Sequence, residues 1–168
     1  FIPMKKILLI ALSVIAFTAC TKKDNEDTKH PKELQGTWVY EKSILPDGKL
    51  FSEITSSEQI ECSKKTKYTF YGEFLTSEEH IFKGGNCQQN TASVKYFVEN
   101  NKLCLDNGNG VVLKAYDIVS LTSTQFVFKY NSELKTFLYS QIPYDPDLKG
   151  KGYTIDDILN VTITYRKL

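Results

Sequence analysis

From Leu34 onward the chain is written in short runs that alternate apolar and polar residues, each stopped by residues that turn a backbone. A period of two is the mark of an extended strand with one face in a core. Leu34-Gln35-Gly36-Thr37-Trp38-Val39-Tyr40 opens the series and holds the chain's one Trp. Thr37, Val39 and Glu41 fall on one face of that run, and Trp38, Tyr40 and Lys42 on the other. Pro46-Asp47-Gly48 is a turn, because Pro presets φ and Gly accepts φ > 0. Ser52 to Lys65 is polar and lacks a clear period, with room for a helical turn. Lys67 to Leu75 alternates again, as one strand or as a short hairpin about Gly72.

Beyond the turn Gly84-Gly85-Asn86, Ala92 to Glu99 reads as a strand, Asn100-Asn101 as a tight hairpin turn, and Leu103-Cys104-Leu105 as the strand pairing back. Asp106-Asn107-Gly108-Asn109-Gly110 ends it. Val111 to Leu121 and Gln125 to Tyr130 follow, parted by Thr122-Ser123-Thr124, and Leu134 to Gln141 is a weaker strand candidate. Pro143 to Asp157, with two Pro and two Gly, reads as a long loop before a closing strand from Val161 to Lys167. No helical stripe competes after the first residues. Many short strands at regular spacing imply a barrel or a sandwich, and a closed barrel removes the exposed edges that make strand-rich chains aggregate.

The length of 168 residues suits one domain with a real core. Aromatics make up 12% of it, which suits a pleated surface filled by flat rings. A net charge of +1 with a single Arg, Arg166, argues against nucleic acid as a partner, since phosphate binding wants a clustered basic surface.

Phe1-Ile2-Pro3 precedes an expected start at Met4. Met4-Lys5-Lys6, an apolar run from Ile7 to Phe17, and Thr18-Ala19-Cys20 make a secretory signal too short for a comfortable membrane span. With Cys20 at the cut site, the stretch resembles a bacterial lipoprotein signal. That resemblance implies that residues 1–20 are a lipoprotein signal cut before Cys20, which becomes the lipidated first residue of the mature chain and anchors it in a membrane. Thr21 to about Glu33 is expected to be a flexible tether, and Lys22-Lys23-Asp24-Asn25-Glu26-Asp27 resembles the tag that sends some Gram-negative lipoproteins to the cell surface. The expected location is therefore the outer membrane, with surface exposure open.

Gly36-x-Trp38 near the start, a series of strands, and Arg166 in the last one are similar to the lipocalin pattern. In that family the Trp lies across the closed barrel base and the late Arg packs over its indole, a cation–π contact of roughly 0.5–2 kcal/mol. The likeness is closer to short bacterial lipocalin-like lipoproteins, through Leu34, Gly36 and Trp38, Cys62 before Tyr68-Thr69-Phe70, Cys87 after it, and Thr162-Ile163-Thr164-Tyr165 in the closing strand. It covers roughly 34–168 and implies an all-β, up-and-down antiparallel lipocalin-like barrel of about eight strands. Such an interior holds one small ligand or is filled by its own side chains. Tyr68, Phe70, Phe74, Tyr96, Phe126 and Phe128 are the inward candidates, as ligand lining or as ordinary core.

With Cys20 assigned to lipid, Cys62, Cys87 and Cys104 remain, and a Cys62–Cys87 disulfide is expected, leaving Cys104 as a small buried thiol in its strand. No metal site is expected, because the Cys residues lack close pairs and turn chemistry accounts for Asp145-Pro146-Asp147. His30 falls in the tether and His80 on a polar loop, so neither has a partner for nucleophilic catalysis. Glu78-Glu79 and Asp156-Asp157 are neighbours that would point to opposite faces of a strand, and they read as solvated groups. The sequence thus points to a non-enzymatic barrel, without cofactor and taken as a monomer, that binds a small hydrophobic ligand. The alternative is a filled barrel that binds a protein or glycan partner through its outer face or the 143–157 loop.

Overall fold

A computed structural model describes residues 29–140 and 146–168. Eight antiparallel strands close into one up-and-down barrel in chain order: β1 (Gly36–Ile44), β2 (Lys67–Tyr71), β3 (Phe74–Lys83), β4 (Asn86–Glu99), β5 (Lys102–Asp106), β6 (Val112–Leu121), β7 (Gln125–Tyr130) and β8 (Thr162–Lys167). β8 pairs with both β7 and β1, which closes the ring. Gly72 (φ 57°) turns the chain from β2 into β3, so the run from Lys67 is a hairpin. Asn100 and Asn101 both hold positive φ, as a two-residue hairpin turn requires.

Antiparallel order fixes the two ends. The turns at residues 72–73, 100–101 and 122–124, together with Lys167, lie at the base where β1 begins. The opposite end, the mouth, carries the helices. A 3₁₀ turn (Phe51–Glu53) leads to α1 (Ser57–Ser63), started by a reciprocal capping box between Ser56 and Gln59. After β7 come α2 (Ser132–Tyr139), α3 (Pro146–Gly150) and α4 (Ile155–Leu159). A disulfide joins Cys62 of α1 to Cys87 near the tip of the β3–β4 hairpin, with Cα atoms 5.6 Å apart, as expected.

Several expectations are corrected. The expected strand at Leu134 to Gln141 is helical through Tyr139, because Asn131 caps it by accepting from the Glu133 amide and Leu134 and Leu138 bury one face at i, i+4. The expected loop at 143–157 contains α3 and α4, the latter opened by a Thr154–Asp157 capping box, while residues 143–145 lie outside the described residues. β3 runs to Lys83 and β4 starts at Asn86, so residues expected as loop form a long polar hairpin. Finally, residues 29–33, expected in the tether, pack on the base: His30 meets the Tyr96 ring edge-on at 5.2 Å and Lys29 stands 5.9 Å from the Phe97 ring centre. Cys20 and the signal segment lie outside the described residues.

Candidate functional site

The base is plugged by Trp38, fully buried, whose Nε1 donates to the Leu34 carbonyl at 2.7 Å. The cation over its ring is Lys167, with Nζ 5.0 Å from the ring centre and donating to the Glu33 carbonyl at 3.0 Å. Arg166, expected in that role, is exposed: it pairs with Val39 and Gln125 in the ladder, and one residue along a strand is the opposite face. Gly36 makes the arrangement possible. A Cβ there would stand 2.9 Å from Lys167 Cε, and its φ of +113° suits glycine alone.

Above the plug the interior is filled by rings. Phe126 packs on Trp38 (5.9 Å between centres), Phe70 (6.3 Å) and Phe128 (4.7 Å), and Phe128 meets Tyr165 at 5.5 Å. Tyr68 stacks on Tyr165 at 4.9 Å, and Phe70 meets Tyr96 edge-on at 4.9 Å. Thus Tyr68, Phe70, Tyr96, Phe126 and Phe128, five of the six inward candidates, are buried together as packed core. Phe74 is the exception. It lies on the outer face, 43% exposed, with Lys95 Nζ 5.6 Å from its ring centre, because Leu75 takes the inward position.

The inward residues of β3 are Leu75, Ser77, Glu79 and Ile81. Glu79, expected to be solvated, is 2% exposed inside the barrel. Its Oε1 accepts from the Tyr68 hydroxyl at 3.5 Å, a limiting distance, and no base stands beside it among the described residues. Burial pushes its carboxyl up to about 7, only partly offset by Tyr68. Tyr116, Tyr130 and Tyr165 complete the surrounding phenols, and burial raises all of them above the ordinary phenol range. Cross-strand from Glu79, Asn90 keeps its Nδ2 buried without a hydrogen-bond partner.

A half-open cavity of about 70 Å³ lies at the mouth. It exists because β1 pairs with β2 only from Gly36 to Val39, whereas β1 follows β8 up to Ile44. The end of α1 fills part of the resulting gap, and the Tyr40 amide donates to the Thr66 carbonyl there at 3.3 Å. Tyr40, Ser43, Ser63, Thr66, His80, Tyr130 and Tyr165 are its polar lining residues, and Phe51, Ile158, Val161 and Ile163 its apolar ones. His80, expected on a loop, is in β3, and its Nδ1 is buried with no hydrogen-bond partner. Reasoning from sequence missed Tyr40, Tyr130 and His80, although Tyr40 shares the face of Trp38 and so announces itself by period. At on the order of five waters' room, the cavity is far below the volume of pockets that engulf drug-sized ligands.

A family model described as a lipocalin-like domain matches residues 34–128. The chain belongs to the lipocalin-like domain family. In this lipocalin-like domain the matched stretch supplies the Trp38 plug, Glu79 and the Tyr40, Thr66 and His80 side of the cavity. The Tyr130, Ile163 and Tyr165 side comes from beyond it. No curated protein and no solved structure matches the chain. The barrel is of a ligand-binding type, and its Cys62–Cys87 bond staples the helix that borders the cavity.

Proposed function

We propose that this lipocalin-like domain is a non-enzymatic binding protein, held to a membrane through acyl chains on Cys20, that takes a small compact ligand at the barrel mouth. The observation that carries the reading is the half-open cavity of about 70 Å³ at the mouth, walled by Tyr40, Tyr130 and Tyr165. Long apolar ligands of the kind a hollow barrel would hold are not part of this reading, since packed rings occupy the space they would need. Lipid on Cys20 follows from the signal-like residues 4–20, and durable anchoring needs more than one acyl chain.

Native mass spectrometry of the full chain, purified with its disulfide formed, tests the ligand. An adduct of small mass that is lost on denaturation is expected, and a clean apo mass from every expression host would remove the carrier reading. Labelled fatty acid should enter the wild-type chain and be absent from Cys20→Ser.

A second reading, an interaction module for an extended partner, is favoured by one observation. Asn86–Val94 of β4 has ladder hydrogen bonds to β3, and its β5 pairing begins only at Lys95, so one edge of this segment has no strand partner among the described residues. Such an edge is a template for strand addition.

A further inference from the structure

Glu79 is the only Asp, Glu, Lys, Arg or His among the buried described residues. A barrel interior with one carboxyl and no base carries a single sign of charge. Its neighbours are phenols: Tyr68 donates to it, and Tyr116 and Tyr165 hydrogen-bond with Tyr68. Tyr68 stacks on Tyr165 with 4.9 Å between ring centres, and Tyr165 reaches from this group to the mouth cavity. Tyr130 and Tyr165 belong both to the cavity wall and to the surroundings of Glu79, and Tyr40 adds a third ring.

We propose that the mouth cavity is a site for a small organic ammonium ion, held against the rings and hydroxyl oxygens of Tyr40, Tyr130 and Tyr165, with Glu79 behind them as the balancing carboxylate. This rests on the reading of the mouth as a ligand site and adds the class of ligand. Ring faces attract ammonium groups, and a carboxylate in a low-dielectric interior acts with little screening. An anion such as a fatty-acid head would meet Glu79 as a like charge, with no Lys or Arg among the cavity's lining residues. The cavity's size suits a compact group and excludes a long chain. Because burial holds the proton on Glu79 up to about pH 7, an arriving cation favours its release to solvent.

The test compares three compact probes on the full, disulfide-bonded chain: tert-butylammonium, the size-matched neutral tert-butanol, and pivalate. Binding is followed through the backbone amide resonances of His80 and Tyr130. The ammonium is expected to bind about tenfold or more tightly than the alcohol, with pivalate causing no shift. At pH 7 in weak buffer the ammonium should release up to about half a proton per site, because Glu79 is about half protonated there, and the alcohol none. In Glu79→Gln the ammonium should fall to within about twofold of the alcohol, whose own affinity stays unchanged. Equal affinities for ammonium and alcohol in the wild type overturn the ligand class while leaving the mouth a ligand site. Silence from all three probes overturns the mouth site as well. A preference that survives in Glu79→Gln, or ammonium binding without proton release should that variant not fold, overturns the role of Glu79.

Discussion

Glu79 keeps its proton up to about pH 7 because burial makes the carboxylate costly, against an ordinary value of 4.5. The sign follows from linkage. Between these two values the folded chain binds more protons than the unfolded one, so stability falls as pH rises through that window and is level above it. At about 1.4 kcal/mol per unit, the loss is on the order of 3 kcal/mol. Urea unfolding at pH 5 and pH 8 should therefore show the wild type weaker at pH 8, and Glu79→Gln should remove most of that difference. A wild-type stability that stays level across the window would contradict the buried placement. At the base the two neighbouring cations separate cleanly. Lys167→Ala removes both the contact with the Trp38 ring and the bond to the Glu33 carbonyl, and is expected to cost about 1 kcal/mol in thermal unfolding. Arg166→Ala, on the exposed face, should stay within about 0.5 kcal/mol. Here the sequence misleads by one residue, because Gly36 leaves room for the stem of Lys167, a relation across the base that no local pattern reports.

The strands that were legible are those whose alternation is apolar: β1, β2, β6, β7 and β8 all bury aromatic or aliphatic residues on one face. The upper β3–β4 hairpin was not, since His80, Gln88, Gln89 and Asn90 carry no apolar stripe, and backbone pairing together with the Cys62–Cys87 bond holds them in register. That oversight also hid Glu79. Once β3 is continued to Lys83, the period from Leu75 through Ser77 turns Glu79 inward. α2 was obscured by Phe137 and Tyr139, strand-favouring residues, although the Asn131 cap and the Leu134/Leu138 spacing announce a helix. The hairpin makes its own prediction. With β3 on one side only, every second amide from Asn86 to Ser93 should exchange rapidly with solvent, while Lys95–Glu99, paired on both sides, stays protected. Replacing Cys62 and Cys87 by Ser should lower stability by about 3 kcal/mol and extend fast exchange across the hairpin tip.

At the scale of the molecule, the two ends of the barrel have different neighbours. Lys29 to Leu34 crosses the base, against Tyr96, Phe97 and Trp38, whereas the cavity opens at the far end of the strands. β1, nine residues long, runs from one end to the other, roughly 26 Å along the strand at about 3.3 Å per step and less along the axis of a barrel with tilted strands. If acyl chains sit on Cys20, the nine steps from it to Lys29 reach at most about 32 Å, and because the chain enters the barrel at the base, an anchor on the base side needs the least extension. The mouth is then presented away from the membrane, where a water-borne ligand can enter, and the Lys167 end faces the lipid. This orientation can be measured on the acylated chain in vesicles carrying a spin-labelled headgroup. Amide signals at the base turns, Gly72–Glu73, Asn100–Asn101 and Thr122–Thr124, should broaden more than those of Gly84, Gly85 and His80. Broadening concentrated at Gly84 and Gly85 would put the mouth against the membrane and redirect the search toward a ligand drawn from the lipid phase.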